Sequence, residues 1–521
     1  MFKYLFFFIC VLCFVFAVTA FAQEADISGK YEGTAEVQPY GKLKISAEIR
    51  SKSGKLTGVV HTPLGDAGIV EGSVAGDKVS ITVDSGGDDL ILEGVREKSG
   101  KLTGTISSES VKGTFELNRA GDLEPEKDYS VVTRLSKEKW REDLKFLRDE
   151  LPKRHKNAFA HISREQFEKM ISDLDAKIPT LDDDAIIWEM ARIVSKIGDG
   201  HTGLSAGWSY PKIPVWLYWF GKELRVVRVS KEFPRLNGAR ITKINGVPIE
   251  KIYELSRDYI SQYESEQFVM HSSQYLLTYP VFLKIIGVTK DAETAVYEAI
   301  DARGKKFKQE IKAVPPDAKI DWINPYKNAP LYLQNEDKPL YFSYLKDAQT
   351  VYVNFKWYPR RKQFSQFSKE LFDFIDKNPV EKLVFDMRQN GGGDFTRGRD
   401  FFIKQIKERK KFLERGHLFV ITGRMTYSAG MANTADFKND LGAFLVGEPT
   451  GARPNGYQEG RGTSLPNSHL WLNYAVDYYK FSETDTPGIL PDKRIDPDWK
   501  SFEMGRDAPL EWILNYRGEI K

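Results

Sequence analysis

Between about residues 24 and 118 short runs alternate apolar and polar side chains, and one heptapeptide occurs twice. Leu43, Ile45, Ala47 and Ile49 alternate with Lys42, Lys44, Ser46, Glu48 and Arg50, the two-residue period of a half-buried strand. Lys-Ser-Gly-Lys-Leu-Thr-Gly stands at 52–58 and again at 98–104. Each copy joins two strand-like runs through a Ser-Gly turn, which predicts a duplicated hairpin unit. The stretch from Asp84 to Asp89 reads as another turn. Residues 23–120 are therefore expected to form a small antiparallel β barrel or sandwich, with no catalytic constellation in it.

The extreme N-terminus has a different character. Lys3 is followed by an uncharged run over 4–18 and then by Ala20-Phe21-Ala22. A positive start, an apolar middle and small residues before the cut read as a signal peptide over 1–22, removed before Gln23. The expectation is an exported protein, periplasmic or extracellular, without stable membrane insertion after cleavage. Both cysteines, Cys10 and Cys13, fall inside that leader. The mature chain would then have no disulfide, no thiolate nucleophile and no Cys-type zinc site. Lys plus Arg (76) nearly balances Asp plus Glu (73), so no basic field points to nucleic acid.

Beyond a charged linker at 121–136, three amphipathic helices are predicted within 137–210. Ser136 caps the first, whose Trp140, Leu144, Leu147 and Leu151 share a face before Pro152 ends it. Ser163 and Gln166 form a capping box for the second. The third begins near Asp182 and is stopped by Gly198. Short strands return over 211–330, where Asn245-Gly246 is a tight-turn signal. The segment from Lys243 to Ile252 resembles the strand–turn–helix entry of a PDZ domain in degenerate form, equally a regulatory module or a peptide-binding one. From 335 to 521 strands alternate with helices, which predicts a layered α/β core.

Three places could carry chemistry. Asp386-Met-Arg-Gln-Asn-Gly-Gly-Gly393 follows an apolar strand, and its glycines leave backbone amides free to face a ligand. In Ile421-Thr-Gly-Arg-Met-Thr-Tyr-Ser-Ala-Gly430, Ser428 falls at a helix start, either as a capping serine or as a nucleophile beside free amides. Gly198-Asp-Gly-His-Thr202 puts His201 between glycines after a helix, as a structural group or a base. The histidines of the chain lack the helical spacing of zinc ligands, and no metal or organic cofactor is expected.

Taken together and in this order, these segments resemble the tail-specific proteases, also called C-terminal processing peptidases, and within them the tricorn-core branch. Val446-Gly-Glu-Pro-Thr-Gly451, Leu465-Pro-Asn-Ser468 and Gly488-Ile-Leu-Pro-Asp492 extend the likeness, which spans about 137–516. The resemblance implies a crotonase-like α/β core, a polypeptide substrate and Ser428 as nucleophile. Where the bacterial branch has a lysine base, this chain has Arg453, which does not give up its proton near neutral pH. The tricorn-like branch implies His201 as base, with an acid at Asp485 or Glu483 orienting its ring. The residue before the histidine, a serine in that branch, is Gly200 here. Amides of Ala429 and of Gly391 or Gly392 would hold the oxyanion. A catalytically silent peptide-binding scaffold and an esterase acting through the same residues are the alternative readings.

Overall fold

Eight strands close into a barrel: β1 Gly29–Gln38, β2 Gly41–Lys52, β3 Lys55–Thr62, β4 Gly65–Ala75, β5 Lys78–Asp84, β6 Asp89–Arg96, β7 Leu102–Ser107 and β8 Lys112–Gly121. Each pairs antiparallel with the next, and β8 returns to β1, which leaves no free edge. The two heptapeptides make the β2–β3 and β6–β7 turns, with Ser53 and Gly54 at φ 49° and 72° and Gly100 at φ 85°. Their leucines, Leu56 and Leu102, both join the apolar interior with Tyr31, Ile49, Ile81 and Leu117. Gly94 lies opposite Gly104. A Cβ at Gly104 would fall 2.1 Å from the Glu93 carbonyl oxygen, so the two strands approach as closely as they do only because that position is bare.

This computed structural model describes residues 26–63, 65–84, 89–108, 111–123, 134–205 and 210–518. The leader expected at 1–22, part of the turn at Asp84 to Asp89, and most of the linker lie outside the described residues. The chain divides into two units, Met1–Lys127 and Asp128–Lys521. Among the described residues no helix is long and apolar enough to cross a membrane.

The second unit begins with α1 (Lys137–Arg154), α2 (Arg164–Lys177) and α3 (Asp183–Ser195), capped by Ser136, Ser163 and Asp182. The capping box of Ser163 and Gln166 is formed in both directions. Pro152 does not end α1. The helix continues to Arg154, and the His155 amide closes on the Leu151 carbonyl at 3.0 Å: the proline gives up its own bond to the carbonyl four residues back, and the turn beyond it still closes. Nor does α3 reach Gly198: it ends at Ser195, and Gly198 turns the next loop at φ 104°. The buried Asp143 of α1 accepts the amides of Asn467 and Ser468, each at 2.8 Å. That pair explains the Leu-Pro-Asn-Ser motif, since it ties the helical layer to the C-terminal hairpin.

Residues 211–330 contain a seven-stranded antiparallel sheet around Leu224, Val226, Ile241, Ile244 and Tyr297. Asn245 and Gly246, at φ 49° and 81°, make the expected tight turn ahead of helix Ile249–Arg257. Two further helices, Glu266–Leu276 and Pro280–Ile285, run on from it, and Val281 and Phe282 pack into the helical core with Trp188. The last section forms a six-stranded sheet in the order Leu340–Leu345, Thr350–Phe355, Lys382–Asp386, Leu418–Thr422, Phe444–Gly447, Lys493–Arg494. Its first pair is antiparallel and the rest are parallel. Helix Arg361–Lys377 covers one face through Phe364, Leu371 and Ile375.

Candidate active site

Two neighbouring parallel strands, Lys382–Asp386 and Leu418–Thr422, end side by side, and the loops after them meet. Ligand sites in parallel α/β sheets gather at this carboxyl edge. The loops are tied by main-chain and side-chain bonds. Thr426 Oγ1 donates to the Met387 carbonyl at 2.8 Å, and the Tyr427 amide donates to the Asn390 carbonyl at 2.9 Å. Asn390 is fully buried and donates to the Phe355 carbonyl at 3.1 Å.

Ser428 stands immediately before helix Ala429–Leu441 but does not cap it through its side chain. Its backbone is held at φ 51°, ψ −126°, a sparsely populated conformation that costs about 1–3 kcal/mol and collects at functional positions. The hydroxyl faces the histidine loop instead, and Ser428 Oγ lies 3.0 Å from His201 Nε2 across 227 residues of sequence. Gly392, at φ 114°, packs against this serine: a Cβ there would sit 2.7 Å from Ser428 Cβ.

Position 201 is anchored by the short strand just beyond it. Gly203–Leu204 joins the hairpin Asn455–Ser464/Trp471–Lys480, pairing Leu204 with Leu472. Thr202 Oγ1 accepts the Ala475 amide at 3.2 Å. The buried Asp199 accepts the His201 amide at 3.1 Å and receives His155 Nε2 at 2.9 Å, while His155 Nδ1 accepts the Asn157 amide at 2.9 Å. Burial pushes His201 down to about 4, with the Asp199 carboxylate opposing. Its ring is therefore neutral at physiological pH, the form able to accept a proton.

The acids expected beside the ring stand elsewhere. Asp485 is exposed and pairs with the Arg453 guanidinium at 3.0 Å, and Glu483 is exposed as well. Besides Asp199, a second carboxylate reaches the histidine's neighbourhood: Glu264, in the loop before helix Glu266–Leu276. Its Oε1 accepts the Gly200 amide at 3.0 Å and the Tyr427 hydroxyl at 3.2 Å, and its Oε2 accepts the Arg453 amide at 3.0 Å. The physical reason is the arginine. Arg453 stacks over Tyr263 at 4.3 Å, donates to the Tyr263 carbonyl at 3.1 Å, and so draws the 263–264 segment inward while Asp485 stays on its outer side. Burial raises Glu264 to about 7, helped by the Asp199 charge and opposed by its three donors. No periodicity or spacing marks Glu264 in the sequence; its only local signal is Ser265, the cap of the next helix.

Among the oxyanion candidates, the Gly392 amide is already spent on Asn390 Oδ1 at 3.0 Å. Among the described residues no intramolecular acceptor lies on the amides of Ala429 and Gly391. Lys438 sits three turns down the helix, donating to the Leu490 carbonyl at 3.1 Å. A cavity of about 480 Å³ bounded by Tyr218, Phe220, Arg388, Arg424 and Glu448 has neither Ser428 nor His201 in its wall. Among the described residues no three His, Cys, Asp or Glu are grouped to hold a metal ion.

No family model matches the chain, and no curated protein matches it. Solved structures do. A serine-to-alanine mutant of CPAF aligns with a TM-score of 0.50 at 10% identity, over 74% of this chain and 99% of that one. The photosystem II D1 C-terminal processing protease aligns at 0.34 and 14%, over 72% of this chain and 98% of that one. The tricorn protease aligns at 0.35 and 12%, over 91% of this chain and 45% of that one. At 10% identity the likeness to the CPAF mutant is one of fold.

Proposed function

We propose that this chain is a serine peptidase of the tail-specific protease family, hydrolysing polypeptides by acyl transfer. The observation that carries the reading is the 3.0 Å approach of Ser428 Oγ to His201 Nε2, on a serine whose backbone is strained and whose side chain does no capping. In this mechanism Ser428 attacks the scissile carbonyl carbon and His201 Nε2 takes the hydroxyl proton. The Ala429 and Gly391 amides receive the developing oxyanion at the helix start. The imidazolium then gives its proton to the leaving amine, and a water molecule, activated by the same nitrogen, releases the acyl group. The alternating-strand core corresponds on this reading to a crotonase-like fold, and the 211–330 module to a PDZ-like insertion. Export, with cleavage before Gln23, belongs to the same proposal and rests on the leader pattern.

The test is covalent labelling with a fluorophosphonate, followed by incubation with a mixed peptide library and mass spectrometry of the products. Labelling confined to Ser428 and new peptide termini are expected. Labelled protein that hydrolyses small acyl esters and no peptide would make the site an esterase; folded protein that does neither would sink the enzymatic reading.

A further inference from the structure

Resting on the Ser428–His201 reading, we infer that Tyr427 and Glu264 are positioning residues that hold the His201 ring in the tautomer able to accept the serine proton. For Nε2 to accept from Ser428, the ring proton must be on Nδ1, and a proton there needs an acceptor. The atom facing Nδ1 is the Tyr427 hydroxyl oxygen, at 3.5 Å, a separation typical of a catalytic bond that tightens once substrate is bound. A phenol can donate or accept. Its other neighbour decides which.

That neighbour is Glu264 Oε1, at 3.2 Å from the Tyr427 oxygen. An ionised carboxylate only accepts. The single Tyr427 proton then goes to Glu264, and a lone pair is left for the His201 Nδ1 proton. The chain of donors runs from Ser428 through His201 and Tyr427 to Glu264, each giving one proton toward the next. If Glu264 is protonated, its own O–H can turn to the phenol and the phenol proton to Nδ1. The ring proton then sits on Nε2, aimed at Ser428, and the base is disabled.

A second, independent observation is steric. A Cβ on Gly200 would fall 2.0 Å from the Tyr427 hydroxyl oxygen and 3.1 Å from Glu264 Cγ. The phenol hydroxyl thus occupies the space where a side chain at position 200 would begin. Gly200 is the place at which the resembled branch carries a serine, so the departure at 200 and the tyrosine relay are one change. Two rings stack against the phenol: Tyr427 lies 5.1 Å from the His201 ring and 5.1 Å from Phe268, each at 26°.

The charged and titratable groups around Glu264 are Asp199, Tyr427 and Arg453, the last carrying Asp485; His201 is reached through Tyr427, and His161 stacks on Tyr263 at 3.4 Å. Of the relay's members, His201 lies down at about 4, Glu264 up at about 7, and Tyr427 well above the phenol range. Between pH 5 and 8 the member that titrates is therefore Glu264. Activity should rise with pH through that ionisation because the carboxylate, once formed, sets the tautomer.

The experiment compares wild type, Tyr427→Phe and Glu264→Gln, each first confirmed folded by its melting curve. Tyr427→Phe keeps both stacking contacts and removes only the hydroxyl. It is expected to lower kcat by about 10- to 100-fold with KM changed less than about twofold. Glu264→Gln should lose the rise in kcat/KM near pH 7. In parallel, nitrogen NMR of 15N-histidine-labelled Ser428→Ala reads the His201 tautomer without needing turnover. The Nδ1–H form is expected at pH 8 and should be lost when Tyr427→Phe is added. Unchanged kcat and pH profile in both folded variants, or a tautomer indifferent to Tyr427, overturns the relay. Should wild type fail to label or cleave while the tautomer still responds to Tyr427, the peptidase reading fails and the relay stands.

Discussion

Strands adjacent in the barrel are adjacent in sequence, and only the β8–β1 closure joins distant residues. The site in the second unit is assembled the opposite way. His201 comes from the loop after α3, Glu264 from the loop ahead of helix Glu266–Leu276, Gly391 and Ser428 from two strand ends, and Arg453 from the turn before the hairpin. The barrel repeats one hairpin device and holds an apolar interior; the site collects polar groups that meet only after long loops close. The contrast shows where function can reside. A meander of local pairs gives stability from pattern alone, whereas a proton path needs groups whose spacing no local pattern sets.

The sharpest break in that comparison is His201→Ala. Nucleophile and base act as one unit, so it should reduce kcat/KM by about 10³-fold or more, as severely as Ser428→Ala, with the double change no worse. Near-normal turnover in a folded His201→Ala protein would refute the mechanism. Gly200→Ala should come next. Its new Cβ would displace the Tyr427 hydroxyl, and a loss of about 10- to 100-fold in kcat is expected, with substrate binding little altered. Steady-state kinetics on one peptide substrate resolves the two.

Asp485→Asn is a smaller test of the same idea. Asp485 meets the largely buried Arg453 from its exposed side, where solvent screens the pair, so kcat/KM should fall less than about fivefold. A loss comparable to that of Glu264→Gln would return Asp485 to the role of orienting acid. On the barrel side, Gly104→Val forces a side chain against the Glu93 carbonyl and should lower the melting temperature of that unit by several degrees, on the order of 1–3 kcal/mol. Short-peptide turnover should not change. Smallest of all, a chain beginning at Arg134 is expected to keep its kcat/KM on a short peptide, measured after its folding is confirmed by circular dichroism. Loss of turnover in that folded chain would mean the barrel serves the site.

Much of the scaffold was legible because the signals are local. The caps Ser136, Ser163 and Asp182, the turns at Ser53-Gly54 and Asn245-Gly246, and the alternation from Leu43 to Ile49 all depend on residues within one or two turns of chain. The strand–loop–helix around Ser428 was legible for the same reason. Pro152 is no stop signal because a proline disturbs the turn before it, and the residues after it keep their own bonds, as the His155 amide does to the Leu151 carbonyl.

The sequence by itself determined the barrel's hairpin turns, the three capped helices, and which loops carry Ser428, His201 and the glycines. Only the tertiary structure decided that Ser428 leaves its helix uncapped and faces His201, that Arg453 clamps the Tyr263–Glu264 segment, and that Asp485 stays outside on that arginine. The physical reason is range. Backbone conformation and side-chain period are set by neighbours a few residues away, but an ion pair or a hydrogen bond is chosen by distance in space. Here a carboxylate 64 residues beyond Gly200 reaches its amide at 3.0 Å, and no spacing along the chain records that closure.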